Sequence, residues 1–387
     1  MPHMHIDSFK DATYPFECDG VEFLFKASSI DNENSLVATR YKNKEFFINL
    51  KDGAKKLIKA DKTTRPNPNH LLKHSMSAYA SSLDLDILDS NIDSGGENMH
   101  LVRPRGLRVI EDFSSFIDAK NISIEVGFGS GRHLLHQAKS NPDMVFIGLE
   151  IHKPSIEQVL KQIEIQNLDN LLVLDYDARL FLELIPSNRI DKIYVHFPVP
   201  WDKKPHRRVI SLDFLREADR VLKIGGNLEL RSDSELYYRY ALEVFSTPAK
   251  SRFFVDKNQE IEISSKYEDR WKKMSKNIYD VVFTSLSDAD ERAQIDDFVF
   301  DKEIDNKNLS RLPHGSIVRD WGFVRVERIY RIDDNRGLIR VAMGGFDRPE
   351  NIYVLIERGC SRYYPSAPIK SSTNQKAHNL LNEILNG

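Results

Sequence analysis

The sequence predicts an α/β protein built on a doubly wound, mostly parallel sheet, with an additional β-rich accessory region. Two observations carry this. Between about residues 105 and 286, short apolar runs of the buried-strand kind alternate with amphipathic helical patterns. On either side, residues 21–50 and 316–359 hold apolar residues broken by turn formers, without a helical period. A chain of 387 residues exceeds one small domain. The expected division is a β-rich N-terminal extension (1–87), a linker (88–104), the α/β domain (105–286) and a β-rich C-terminal extension (287–387).

The elements follow in order. VEFLF, SLVATRY and EFFINL read as strands, and a lysine-rich stretch from Lys51 to Lys62 follows them. Residues 88–100 are polar with a Gly-Gly pair, which suits a linker. ISIEVG, MVFIGLE, LLVLD, KIYVHF and NLELRS are short apolar runs suited to a parallel sheet. In PSIEQVLKQIEI, Ile156, Val159, Leu160 and Ile163 share one helical face, with Pro154 in the first turn. In SLDFLREADRVLKIGG, Ser211 is placed to cap a helix that Gly225–Gly226 should end. The C-terminal part offers SIVRDWGFVRVERIYRI, GLIRVAMGG and NIYVLIERG as strands, then a helix over NQKAHNLLNEIL.

Neither terminal set of strands buries much apolar surface alone. Phe23, Phe25, Phe47, Phe323, Val326, Ile329 and Tyr353 need a partner, so the two ends are expected to meet in one unit. The lysines of 51–62 and Arg362 would give that unit a positive face.

Hydrophobic residues make up 41% of the chain, yet no apolar run is long enough to cross a bilayer. No charged-then-apolar leader opens the sequence, and a cytoplasmic protein without membrane partners is expected. Cys18 and Cys360 stand near opposite ends, which argues against a disulfide framework or a cysteine metal site; no metal is expected. The net charge of −3 excludes a protein that coats nucleic acid indiscriminately. Binding RNA would require a local basic patch and would be salt-sensitive.

IEVGFGSGRHL (124–134) reads as a strand, a glycine turn and a helix. In such sheets ligands bind beyond the carboxyl ends of the strands. Gly127 and Gly129 let the backbone approach a ligand closely. Glu150 ends the next strand, where an acid accepts hydrogen bonds from ribose hydroxyls. Both NAD-dependent dehydrogenases and S-adenosylmethionine (SAM) methyltransferases use that device. Glu125 within the first strand suits a cationic amino-acid ligand better than a pyrophosphate, and His133 or Leu134 stands where a dinucleotide fingerprint wants its last glycine. Both details favour SAM. Asp177, after the third strand, is placed to accept from an adenine amino group or to cap a helix.

HFPVPWDKKPHRR (196–208) ends the fourth strand in a rigid corner, because proline donates nothing to a ladder. That corner falls at the same sheet edge as the glycine turn. Lys203 is near enough to reach the pocket, while Lys204, Arg207 and Arg208 are expected to extend outward as phosphate contacts.

IEVGFGSGRHL, FIGLEIHKPSI, HFPVPWDKKPHRRV, FLREADRVLKIGG, LRSD and SKYEDRW…IYDVVF, in this order, resemble the bacterial tRNA (guanine-N7-)-methyltransferase family. The resemblance spans about 105–286. It implies a Rossmann-like SAM-dependent methyltransferase fold and methylation of a guanosine in the tRNA variable loop. Carried over by position, Glu125, Glu150 and Asp177 would hold SAM, and Lys203, Asp233, Ser265 and Glu268 would hold the guanosine. The family corner usually has an aspartate where this chain has Val199, and the resemblance assigns no other catalytic residue. Guanine N7 carries a free lone pair, so methylation needs no general base and alignment supplies most of the catalysis. The alternatives are a tRNA-binding relative without activity, which Val199 motivates, and a nicotinamide-dependent oxidoreductase. A monomer is expected.

Overall fold

The computed structural model describes residues 2–66, 69–92, 104–113, 116–260, 263, 274–292, 295–300, 309, 312, 315–346, 349–357 and 360–386, with only the backbone at Glu111 and His206. The chain divides into two compact units, residues 100–294 and residues 1–99 joined with 295–387. Among the described residues no helix is long and apolar enough to cross a membrane.

The central unit is the α/β domain. Its strands are β1 (Ile122–Val126), β2 (Val145–Glu150), β3 (Leu171–Asp175), β4 (Ile190–His196), β5 (Leu222–Ser232), β6 (Arg252–Lys257) and β7 (Tyr279–Thr284). Its longer helices are α1 (Arg132–Ser140), α2 (Lys153–Gln166), α3 (Leu212–Val221) and α4 (Glu235–Phe245). The sheet runs β6-β7-β5-β4-β1-β2-β3, with Leu107–Arg108 at the far edge. Strands β1 to β5 are parallel, and β7 runs antiparallel between β5 and β6. Strand order reverses between β1 and β4, and the crevice at their carboxyl ends is where such sheets bind ligands.

Local chemistry accounts for most boundaries. Pro154 sits in the first turn of α2, and Asn167 ends it in a left-handed conformation. Ser211 caps α3 by accepting from the Phe214 amide at 3.2 Å. The glycine pair is a correction. Helix α3 stops at Val221, and Gly225–Gly226 form a bulge inside β5, where the register against β4 shifts between Ile190 and Lys192. A side chain at Gly226 would press on the Asp191 and Ile190 carbonyls at 3.0 and 3.1 Å, so close backbone approach requires glycine there.

The second unit joins both ends of the chain in one antiparallel sheet, as their unsatisfied apolar residues require. Val21–Ser29 pairs with Gly322–Arg331 through Ser29–Tyr330 and Ser28–Arg331. Beyond Val21–Ser29 lie Asn34–Tyr41, Lys44–Asp52, Lys56–Ala60, His3–Ile6 and Ile87–Ser90; beyond Gly322–Arg331 lie Gly337–Gly344, Glu350–Ile356 and Arg362–Tyr364. Ile87–Ser90 stands where the polar composition predicts linker, because pairing with His3–Ile6 supplies the order that its own residues do not. Helices His70–Ser82 and Ser372–Asn386 cover the outer apolar faces of the two halves. The inner faces share a core of Phe25, Phe47, Tyr330, Tyr353 and Tyr364.

Candidate active site

The site starts at the end of β1. Gly127, Gly129 and Gly131 take left-handed φ values of 68°, 53° and 71°, which a side chain would strain. They serve different purposes. A Cβ at Gly131 would collide with Val159 on α2, so that glycine permits packing. At Gly127 nothing lies within 4 Å of a Cβ, and at Gly129 the nearest atom is 4.0 Å away. Those two leave an open cradle at the crevice.

Glu150 closes the cradle from β2. Its Oε2 accepts from the Gly129 amide at 3.0 Å, and its Oε1 accepts from the amides of Ile151 and His152 at 2.8 and 3.0 Å. An ionised carboxylate has about four acceptor directions, so little capacity remains while the loop holds this shape. Glu150 therefore shapes the glycine turn, and a ribose hydroxyl must share it or displace a loop amide. Asp177 caps the short helix Ala178–Phe181 through the Arg179 amide at 3.0 Å and pairs with the Arg179 guanidinium at 2.9 Å. Its carboxylate is thus engaged in the cap, and an adenine amino group would have to share it.

Beneath the cradle lies a polar network that the sequence did not announce. Glu125 is 3% exposed and receives His133 Nδ1 at 2.7 Å. Across β4 and β5, Glu229 takes His196 Nε2 at 2.8 Å and Lys192 Nζ at 2.7 Å. The His133 ring stands 4.7 Å from Tyr194 and 4.6 Å from His196, which joins the two pairs. Burial opposes charge on His133, but Glu125, helped by Glu229, outweighs it and holds the imidazole above the usual histidine range. Burial likewise opposes charge on Glu229, yet His196 and Lys192 hold it well below the usual carboxylate range. One signal was present: in KIYVHF, Lys192, Tyr194 and His196 alternate on one face.

The corner after β4 is strained. Phe197 and Trp201 adopt φ of 50° and 47°, unusual for aromatic residues. The Phe197 amide donates to the Arg231 carbonyl at 2.7 Å, and the Lys204 amide to the Trp201 carbonyl at 2.8 Å. Arg208 overturns the expectation of an outward phosphate contact. It is 5% exposed, donates through Nε to the Pro200 carbonyl at 2.7 Å, and lies over the Tyr237 and Tyr240 rings at 5.0 and 4.7 Å. It braces the corner from within: its guanidinium is spent on the Pro200 carbonyl, the two rings and, at 3.4 Å, the Asp202 carboxylate of the same corner. Lys203, Lys204 and Arg207 are exposed, with Arg207 over the Trp201 ring at 5.1 Å. Val199, at the tip, is also exposed.

Asp233 follows β5. Ser234 caps α4 by accepting from the Tyr237 amide at 3.2 Å, which leaves Asp233 to pair with Lys276 Nζ at 2.7 Å. Ser265 and Glu268 lie outside the described residues. Glu125, Gly127, Gly129 and Glu150 thus gather at one crevice edge, and the strands that end there also lead into the Lys203 and Asp233 turns.

Residues 119–281 match a family model described as "Putative methyltransferase". A protein of Wolinella succinogenes named tRNA (guanine-N(7)-)-methyltransferase is 42% identical, the match covering 100% of each chain. The chain belongs to the tRNA (guanine-N(7)-)-methyltransferase family. Relatives with the same name from Campylobacter fetus and Helicobacter hepaticus are 38% and 36% identical over 100% of this chain and 99% of theirs. Family membership therefore extends over both terminal regions as well as the α/β domain. Within the family, the Glu125–His133 and Glu229–His196 pairs describe how this member builds the floor of its crevice.

Proposed function

We propose that the chain methylates N7 of a guanosine in the variable loop of tRNA, with SAM as donor. The observation that carries this is end-to-end similarity to relatives of that name, joined to an open glycine cradle at the sheet's switch point. The cradle fits the donor: Gly127 and Gly129 leave room for a ligand against the backbone, and Glu150 lies beside them. When bound, SAM supplies an activated methyl group. Glu125, Glu150 and Asp177 would hold it, the first two through a surface already shaped by their own hydrogen bonds.

Lys203 and Asp233 would hold the guanosine, with Asp233 accepting from the base edge. Asp233 already pairs with Lys276, so its charge is held in place before a base arrives. N7 loses no proton on methylation, so no general base is required and Val199 is compatible with turnover. Catalysis then rests on alignment, worth up to roughly 7–11 kcal/mol in favourable cases. Lys204 and Arg207 face solvent beside the corner and would meet tRNA phosphates.

The test is transfer of labelled methyl from SAM to unmodified tRNA, followed by nucleoside analysis. The expected product is 7-methylguanosine in the variable loop. Clean, folded protein that transfers nothing to several unmodified tRNAs, or labels another nucleoside, sinks the reading.

A further inference from the structure

In the accessory unit the two half-sheets face each other through Phe25, Phe47, Tyr330 and Tyr353. Past this apolar contact the facing residues turn basic. On the N-terminal half Lys59 lies opposite Asn49 in the ladder, and Lys51 is two residues further along the same face. On the C-terminal half Arg328 shares a face with Tyr330 and lies opposite Arg340. The Tyr353 hydroxyl pins the halves together by donating to Asp61 Oδ1 at 3.0 Å. Asp61 directly follows the strand that carries Lys59, so the pin brings Arg328 near Lys59. Burial, and then repulsion from Lys51, Lys62 and Arg328, pull Lys59 below the usual lysine range.

Three other arginines of this unit are neutralised. Arg40 pairs with Glu45 at 2.6 Å and Glu22 at 3.0 Å, Arg336 with Asp333 at 2.7 Å, and Arg340 with Glu327 at 3.1 Å. Among the described residues Lys51, Lys59, Lys62 and Arg328 have no carboxylate within ion-pair distance. Asp61, the acid nearest Lys59 and Lys62 in the chain, attracts Lys59 but gives its oxygens to other donors: Oδ2 accepts from the Thr63 and Thr64 amides and the Thr64 hydroxyl, and Oδ1 from Tyr353; Glu327, beside Arg328, pairs with Arg340. In a chain of net charge −3, what sets these cations apart is that Lys51, Lys62 and Arg328 gather around Lys59 without an ion-pair partner. They repel one another until an anion arrives.

We propose that this cleft binds the sugar-phosphate backbone of tRNA, with Lys51, Lys59, Lys62 and Arg328 contacting phosphates rather than bases. The proposal rests on the tRNA substrate proposed above and adds a second place where the enzyme grips it. Such contacts position the nucleic acid and carry no sequence information. Arg362, which composition suggests for the same face, lies over the Tyr364 ring at 5.3 Å and borders a different cleft with Arg40 and Glu45.

The experiment is equilibrium binding of full-length Lys59→Gln, Arg328→Gln and the double variant to unmodified tRNA, from about 0.05 to 0.3 M salt. The double variant should lose about tenfold in affinity at the low end, and its log–log salt slope should become shallower by about one to two. Lys59→Arg should behave as wild type, and methyl transfer at saturating tRNA should keep its kcat. If the double variant fails to fold, Lys51→Gln with Lys62→Gln, both exposed, should show the same flattening. A wild type that methylates tRNA beside a folded variant with unchanged slope overturns the cleft and leaves the function standing. A wild type that neither binds nor methylates tRNA overturns both. Lost affinity with an unchanged slope also counts against the cleft, since it reports damage rather than a lost phosphate contact.

Discussion

At the Pro-rich corner, Arg207 and Arg208 are adjacent in sequence and part ways in space. Arg208 turns inward against Pro200, Tyr237 and Tyr240, while Arg207 stays exposed on Trp201. In the accessory cleft the reverse holds: Lys59 and Arg328 are far apart in sequence and converge on one place. A cation committed to partners within its own corner, as Arg208 is to the Pro200 carbonyl, two rings and Asp202, is part of the architecture. A cation left without a carboxylate is available to an outside anion. The comparison teaches that the partner, not the local density of charge, separates bracing residues from contact residues.

The sharpest way to break it is Arg208→Ala against Arg207→Ala. Removing Arg208 deletes a charged hydrogen bond to the Pro200 carbonyl, the Asp202 ion pair and two ring contacts, and should destabilise the protein by about 3 kcal/mol. Chemical denaturation measures this. Arg207→Ala should change stability by less than about 0.5 kcal/mol, because its side chain is exposed. It should instead flatten the salt dependence of tRNA binding by about one unit of slope. Equal stability losses would erase the distinction.

A smaller effect tests the pin that assembles the cleft. Tyr353→Phe keeps the ring in the shared core and removes only the hydrogen bond to Asp61, at a cost of about 1 kcal/mol. Hydrogen exchange over 350–356 should quicken, and the salt slope of tRNA binding should shrink if the pin holds Arg328 near Lys59. Unchanged exchange would mean that packing alone holds the halves together.

The smallest effect concerns cations paired with buried acids. The folded pKa of His133 lies above the ordinary value, so the Glu125–His133 pair contributes stability that is full below about pH 6.5. That contribution is lost as pH rises through the raised value. Glu229 has the opposite sign: its pKa is depressed, so its contribution is present above the ordinary glutamate range and falls away in acid. His133→Gln should flatten the alkaline slope of stability and leave the acid limb in place. An unaltered slope would show that the pair does not titrate as its geometry implies.

Much of the α/β domain was legible because its signals are local. The apolar runs at 122–126, 145–150 and 171–175 stop where their hydrophobic pattern stops, and Ser211 and Pro154 mark helix starts by their own backbone chemistry. The open space at Gly127 and Gly129 could be read from position alone, since a strand-to-helix turn at a sheet edge tells where the backbone is bare. Gly225–Gly226 misled because glycine permits a bulge as well as a helix end. Only the approach of the β4 backbone decides between them.

By itself the sequence determined the order of strands and helices in the α/β domain and the place of the glycine turn and of the acids after the strands, because these depend on periodicity and spacing along the chain; the family followed from the resemblance of its motifs, and the helix His70–Ser82 was not read. The sequence also determined that the two ends need each other, since alternating apolar residues at 21–50 and 316–359 cannot be buried separately. Tertiary structure alone decided what each polar group does. Glu150 is largely taken up by the glycine loop, Glu125 is covered by His133, Ser234 rather than Asp233 caps α4, and Arg208 is internal. The physical reason is that a charge's role is set by the dielectric around it and the partner opposite it. Both are supplied by residues that the chain brings near only when it folds.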